Sequence, residues 1–435
     1  MAKKSKNKPT LHDQKVIAAR LRNEYMGRIK YYIDLWLGEK SFSLIPQKDH
    51  DFIFLRRYTT PRIEVAPGVQ MSKKTLDELK EILENSLNSY PIDLGNGLPE
   101  IKLKNFLTYF MTIYAYFVYV MKNQSETQKE LADRYRYLWD NYSKLNETAI
   151  NQLNHIMVML GVFTSYPDIK YYWNEIDFHS DVNHNTGSYW IIRMRETATT
   201  VRNITVKEEK RPAFRIGTPL PDEDVKWCWV NIQNQDNPQK SKRYPLYMQA
   251  HALNRMFERL DFLDRHAILY NFYASLIEPI ILFENGKILI QYSLFKKKTG
   301  YFMANIVEGK LLIRTFLFIT NEGTPEARKL LEIAGLGKLD IKYWNIDKLR
   351  KFVETDIITN PVVKNIFIEA GCGDLFSLDT ANTEAYKIKE YIADDIQKYL
   401  GLINQENADD PDGISEYQVQ QEDGLQVEES NKKEC

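Results

Sequence analysis

The chain has 435 residues, 43% of them hydrophobic and 27% charged, and a formal net charge of -1 at pH 7. This length exceeds what one hydrophobic core usually supports, so two folded domains are the starting expectation. The three cysteines lack the spacing of a zinc site or a disulfide framework, which argues against both classes and favours a reducing, cytoplasmic compartment.

The net charge conceals an asymmetry between the two ends of the chain. The segment beyond residue 402 has about ten acidic residues against Lys432 and Lys433, so the body is mildly basic, and its first thirty residues are rich in lysine and arginine. No apolar core follows these N-terminal charges, so a secretion signal is not expected. A basic arm of this kind can contact nucleic acid, or it can simply be a solvated start to the chain.

Residues 1–165 are predicted to form a helical domain. Apolar residues from Leu21 to Trp36 recur at spacings of three and four and stop before Gly38, which is typical of an amphipathic helix. Thr75 and Glu78 form a capping-box pattern at the start of a second helix. Three more helices are predicted: over residues 106–121, from Ser125, and over 147–160 with an end at Gly161.

The most apolar stretch, residues 106–121, is predicted to be a buried helix. It is about 16 residues long, whereas a membrane span needs roughly 20. It also contains four tyrosines and two threonines, whose hydroxyls need partners that lipid cannot supply. We therefore expect no contact with a membrane.

Residues 166–337 are predicted to form a second domain with an antiparallel sheet. A long helix is predicted over 246–277, closed by Pro279. Strands are predicted before that helix, at 189–192, 201–206 and 226–232.

Two hairpins are predicted after this helix, and together they form a four-stranded antiparallel meander. The first turns at Asn285-Gly286, a pair that a type I′ turn selects because both positions need positive φ. The second turns at 308–310, and a loop over 296–300 joins the two hairpins.

The end of the chain is predicted to be helical and then disordered. Thr324 caps a helix that starts at Pro325 and ends at Gly335. Two or three helices follow within 338–402, whereas residues 403–435 are acidic, with few apolar residues, as in disordered tails. The predicted fold class is therefore α+β, with an N-terminal helical domain, an antiparallel-sheet domain, C-terminal helices and a disordered acidic tail.

The best-known motifs for cofactors and catalytic metals are absent. The sequence contains no Walker phosphate loop, dinucleotide glycine pattern, paired CxxC, HExxH or GxSxG. We therefore expect no cofactor.

The segment that follows His251 has a polar face that suits phosphate chemistry. At 100° per residue, His251, Arg255, Arg259 and His266 gather on the side opposite the apolar residues. Histidine can transfer protons near neutral pH and arginine can bind phosphate in a bidentate manner. The alternative is an ordinary solvated face, in which Glu258 and Asp261 pair with the arginines.

Residues 226–335 resemble the small BrnT-like toxins, which belong with the RelE-like ribonucleases. The resemblance consists of His-Ala-x-x-Arg-Met-x-x-Arg from His251, followed by an Asn-Gly hairpin, a Gly-Tyr strand and an Arg-Thr strand. It implies a compact fold of strand, helix, antiparallel strands and helix, and metal-independent RNA cleavage. Carried over, the catalytic candidates are His251, Arg255, Arg259 and Arg314. Residues 316–325 also resemble uncharacterised proteins of gut Bacteroidales and their phages.

Two further groups of residues allow a functional interpretation. Asp177, His179, Asp181 and His184 could together hold a divalent metal, or they could form an ordinary polar loop. Trp227 and Trp229 alternate with Cys228 on a predicted strand.

Alternation places both indoles on one face of that strand, where they could stack on bases if exposed. The alternative is that they pack in the core, with Cys228 on the other side. His155 is interpreted as a core or interface histidine.

The leading hypothesis is a cytoplasmic protein that binds or cleaves RNA through the region 226–335. The alternative is a non-catalytic structural or assembly protein of a phage or mobile element, and a metal-dependent hydrolase using His179 and His184 is third. The expected partners are RNA and, through the helical domain, other proteins.

Overall fold

The computed structural model of the protein describes residues 11–122, 126–180, 187–206, 208–233, 241–284, 286–378 and 392–401. The fold belongs to the α+β class, as predicted, with a helical region first, sheets next and further helices last. The predicted disordered tail, 403–435, lies outside the described residues, as does the first part of the basic arm.

The N-terminal region is built mainly from helices. Its first helix ends at Leu37, directly before Gly38, as predicted. The helices are α1 (Leu11–Leu37), α2 (Asp49–Leu55), α3 (Lys73–Ser89), α4 (Leu103–Asn105), α5 (Met111–Lys122), α6 (Glu126–Asp140) and α7 (Tyr142–Thr164).

Two predicted helix ends are wrong. Helix α3 begins earlier than expected, because the Ser72 hydroxyl, and not the Thr75 side chain, accepts the capping hydrogen bond, at 3.1 Å from the Thr75 amide. Helix α7 continues past Gly161. A Cβ at Gly161 would lie 3.0 Å from the Tyr172 carbonyl oxygen, so the glycine permits a close approach and does not end the helix.

Residues 106–121 form the buried helical segment that the sequence predicts. A π-helical turn, Phe106–Phe110, leads into α5. The Tyr116 hydroxyl donates a hydrogen bond to the buried Asp49 carboxylate at 3.0 Å, so its polar group has a protein partner. Among the described helices, none has the length and apolar content needed to cross a membrane.

A small sheet completes the core of the helical region. Its strands are β1 (Arg62–Val65), β4 (Lys170–His179) and β5 (Tyr189–Ala198), in the order β1-β5-β4, while β2 (Pro91–Ile92) pairs separately with β3 (Ile101–Lys102). Strand β1 is parallel to β5, and β4 is antiparallel to it. Tyr172, Ile192 and Met194 pack in the same hydrophobic cluster as the helices, so this core extends past residue 165.

The second hydrophobic core lies on one face of an eight-stranded sheet. Its strand order is β12-β13-β14-β15-β11-β7-β6, and β10 also pairs with β11. The strands of this region are β6 (Val201–Val206), β7 (Glu209–Arg215), β8 (Gly217–Leu220), β9 (Asp224–Trp227), β10 (Trp229–Gln233), β11 (Ser241–Met248), β12 (Ile281–Glu284), β13 (Lys287–Leu294), β14 (Lys297–Val307) and β15 (Lys310–Phe318).

The predicted four-stranded meander is confirmed as β12 to β15. Gly286 has φ of +70° in the first turn, and Asn285 lies outside the described residues. The predicted loop over 296–300 is wrong. Phe295 and Lys296 both adopt positive φ and form a two-residue turn, so residues 297–300 already belong to β14.

The long helix predicted over 246–277 is also wrong. Leu246 lies in β11, and two shorter helices follow, α8 (Ala250–Arg259) and α9 (Arg265–Ile277). The Asp264 carboxylate accepts a hydrogen bond from the Ala267 amide at 2.9 Å and so caps a new helix.

The strand predicted over 226–232 is interrupted at Cys228. The Cys228 amide donates to the Ile216 carbonyl at 2.9 Å, and the Cys228 carbonyl accepts from the Leu246 amide at 3.1 Å. These bonds separate β9, which pairs with β8, from β10, which pairs with β11. The bend between β9 and β10 forms one wall of the candidate site.

Helices of the C-terminal region extend this second core. The first, α10 (Pro325–Ala334), is capped by Thr324 and followed by Gly335 in the left-handed conformation, as predicted. The others are α11 (Lys338–Tyr343), α12 (Leu349–Glu354), α13 (Pro361–Phe367) and α14 (Ala393–Tyr399).

Candidate functional site

The polar face of α8 is a solvated surface in its first turns. His251 is exposed, and Arg255 forms an exposed ion pair with Glu258 at 2.6 Å. This pairing matches the alternative interpretation of the segment. His266 lies on the separate helix α9, where its ring is 5.1 Å from that of Phe163.

Arg259 is committed to a structural ion pair. Its guanidinium contacts the Asp347 carboxylate, and their side chains are only 19% and 8% exposed. Asp261, one of the expected local partners, instead lies 3.6 Å from Arg350. Burial lowers the pKa of Arg259 from its ordinary value, and the contact with Asp347 leaves the guanidinium little access to a phosphate.

Arg314 lies on β15, at a shift in the register against β14 that leaves it without a ladder partner. Its side chain is partly buried, and its Nε is buried without a described hydrogen-bond partner. Of the other predicted catalytic residues, Arg255 is paired with Glu258 and Arg259 with Asp347. The four residues therefore do not form one set of free, exposed side chains.

The proposed metal ligands are only partly described. Asp177 pairs with Arg193, and the His179 ring is 4.8 Å from that of Tyr189. Asp181 and His184 lie outside the described residues. Within the part of the chain that the structure describes, no cluster of three or more His, Cys, Asp or Glu side chains could hold a metal ion.

A cavity of about 440 Å³ opens between the β9–β10 bend and helices α7 and α9. Its wall is mainly apolar and aromatic, and none of the described lining residues is acidic. The lining residues are His155, Val158, Val162, Thr218, Leu220, Lys226, Trp227, Cys228, Trp229, Arg243, Tyr270, Tyr273, Ala274, Leu276 and Ile277.

Two tryptophans and two arginines form a strip, and three of these residues, Trp227, Trp229 and Arg243, also line the cavity. The guanidinium of Arg215 is 5.0 Å from the Trp227 ring centre and 5.5 Å from that of Trp229. The guanidinium of Arg243 is 5.4 Å from the Trp229 ring centre. These distances are within the range of cation–π attraction. We call these four residues the Trp–Arg strip.

Of the two tryptophans, only Trp229 departs from core packing. Trp229 is 44% exposed, whereas Trp227 is partly buried and packs against the second core. Cys228 does not face away from them, because the bend places all three side chains along the cavity. In the sequence, the alternation of the two tryptophans around Cys228 is the signal that indicates a shared aromatic surface.

Within the described residues, the cations of this surface have no acidic partner. Arg215, Lys226 and Arg243 form no ion pair with any described residue, in contrast to Arg193 and Arg259. The surface can therefore neutralise an anionic ligand without breaking an existing pair.

The cavity contains one thiol, from Cys228, and one imidazole, from His155. Burial raises the pKa of the Cys228 thiol, so it stays protonated and is a poor nucleophile near neutral pH. Its sulfur is 3.6 Å from the Thr218 hydroxyl. The His155 ring meets the Tyr90 and Tyr270 rings edge-on, at the contact between the helical region and α9, and it also lines the cavity.

No protein-family model, curated protein or solved structure matches this chain. The ligand is inferred from the side chains of the cavity and the strip.

Proposed function

We propose that the protein binds single-stranded RNA through the Trp–Arg strip. The observation that carries the proposal is the exposed Trp229 ring, whose centre lies 5.5 Å from the guanidinium of Arg215 and 5.4 Å from that of Arg243. Unpaired bases stack on aromatic rings, whereas the bases of a duplex are already stacked on each other. The neighbouring arginines supply positive charge for the phosphates.

The strip has the two components that sequence-tolerant single-strand binding requires. Stacking gives about 1 to 3 kcal/mol per base and depends little on base identity, because every base has a π-face. The arginines add a salt-dependent term, because each neutralised phosphate releases counterions. The proposal is limited to binding, because the guanidinium of Arg259, one of the predicted cleavage residues, is occupied by the Asp347 carboxylate.

Replacing Arg243 by alanine is expected to weaken RNA binding and to flatten its salt dependence. The logarithmic slope of affinity against salt concentration should fall by about 0.7, the contribution of one phosphate contact on a single strand. The measurement is the fluorescence anisotropy of a labelled oligouridine, titrated with protein at several salt concentrations.

Arg255→Ala is the matched control for this experiment. Arg255 is also an exposed arginine, 42% exposed, but it is paired with Glu258 on α8. Its removal should leave both the affinity and the slope unchanged. Equal losses in the two variants, or a wild-type affinity that does not depend on salt, would rule out the strip as the RNA site.

A non-catalytic structural or assembly protein is the second candidate. Helix α1 favours it, because Val16, Ile17 and Leu21 are 55%, 51% and 57% exposed and form an apolar surface outside the core. This candidate predicts no RNA affinity at physiological salt. It also predicts self-association in light scattering, which Ile17→Ser should reduce.

A further inference from the structure

We infer that the cavity behind the Trp–Arg strip binds one nucleoside monophosphate unit, with the base inside and the phosphate at the rim. The unit can be a free nucleotide or a single unstacked nucleotide of an RNA strand. The second source rests on the proposed function, whereas the first does not.

The size and walls of the cavity suit a planar aromatic group. Its volume of about 440 Å³ is that of a small-molecule site, for which roughly 300 to 1,000 Å³ is usual. The β9–β10 bend contributes Trp227 and Trp229 on one side, and α9 contributes Tyr270 and Tyr273 on the other. Val158 of α7 closes part of the remaining wall. A base can therefore be enclosed by aromatic and aliphatic side chains.

Polar groups inside the cavity can bind the edge of a base. In the described structure, the His155 imidazole and the Tyr270 hydroxyl have no hydrogen-bond partner, and the Thr218 hydroxyl contacts only the Cys228 thiol. These groups include donors and acceptors, as the edge of a base requires.

The rim of the cavity supplies the charge that a phosphate needs. Lys226 and Arg243 both line the cavity, both are exposed, and neither has a described ion-pair partner. Because no acidic side chain is among the described lining residues, Lys226 and Arg243 can attract an anion without competition from a carboxylate. An aromatic interior with a cationic rim matches a nucleotide better than it matches a sugar phosphate or a neutral apolar molecule.

The test uses isothermal titration calorimetry of the full chain with uridine and adenosine monophosphates. Ribose 5-phosphate, which has the phosphate but no base, is the matched control ligand. At least one nucleotide should bind ten-fold or more tightly than ribose 5-phosphate. This comparison needs only the wild-type protein, so it does not depend on the folding of any variant.

A pair of variants locates the site. Val158→Phe fills the cavity from α7 and should lower nucleotide affinity ten-fold or more, while oligouridine still binds through the strip within a few-fold of wild type. Val201→Phe is the matched control, because Val201 is 55% exposed on β6 and does not line the cavity. It should change neither affinity.

The outcomes separate this inference from the proposed function. The cavity inference is overturned if neither nucleotide binds more tightly than ribose 5-phosphate, or if Val158→Phe has no effect on nucleotide affinity. RNA binding by the strip is then still tested separately, by the oligouridine titrations of Arg243→Ala and Arg255→Ala. If nucleotides bind in the cavity but oligouridine does not bind, the cavity is a site for free nucleotides and the proposed function is overturned.

Discussion

Replacing Trp229 by alanine is expected to lower the affinity for single-stranded RNA by about 5-fold to 150-fold. The loss of one stacking platform costs about 1 to 3 kcal/mol, and each 1.4 kcal/mol is a factor of ten. The change also removes the ring beside which Arg215 and Arg243 are placed. Because Trp229 is 44% exposed, its removal should disturb the fold little. Anisotropy with labelled oligouridine measures the affinity, and a thermal melt monitors folding.

Tyr343→Ala is the control for this substitution. Tyr343 is an aromatic residue of α11 that is 74% exposed and belongs to neither the strip nor the cavity. Its removal should leave RNA affinity unchanged. An unchanged affinity of Trp229→Ala, with the fold intact, would show that RNA does not stack on the strip.

Replacing Arg259 by alanine is expected to lower the free energy of unfolding by about 3 kcal/mol, the lower end of the cost of breaking a buried ion pair. The substitution leaves the Asp347 carboxylate, only 8% exposed, without its charged partner. We take the lower end because Arg259 itself is 19% exposed. Urea denaturation followed by circular dichroism measures the change.

Arg255→Ala provides the comparison on the same helix. Its ion pair with Glu258 is exposed at both side chains, and such pairs contribute about 0 to 1 kcal/mol. A small effect is therefore expected at Arg255 and a large one at Arg259. If Arg259→Ala instead leaves stability unchanged and removes RNA binding, the polar face of α8 is the RNA site.

Local features of the fold were predictable because local chemistry determines them. Thr324, Pro325 and Gly335 define α10 at both ends, and Gly286 permits the turn between β12 and β13. The single helix predicted over 246–277 is wrong because the apolar spacing continues through β11, α8 and α9, across the cap at Asp264 that separates the two helices.

The candidate site was only partly predictable because its parts come from distant segments. The alternation of Trp227 and Trp229 is visible in the sequence, but their neighbours Arg215 and Arg243 reach them only through the pairing of β7, β10 and β11. Arg259 shows the same limit. A helical projection can pair Arg259 only with acidic residues nearby in the sequence, whereas its actual partner Asp347 lies 88 residues away.

Photo-cross-linking of a single-stranded RNA that contains 4-thiouridine tests the central claim most directly. Mass spectrometry of the digested complex identifies the peptides that carry the adduct. We expect adducts on the peptide that contains Trp227 and Trp229, and on the strand around Arg243. Adducts confined to α8, or none above the level of a non-binding control protein, would contradict the claim that the Trp–Arg strip binds RNA.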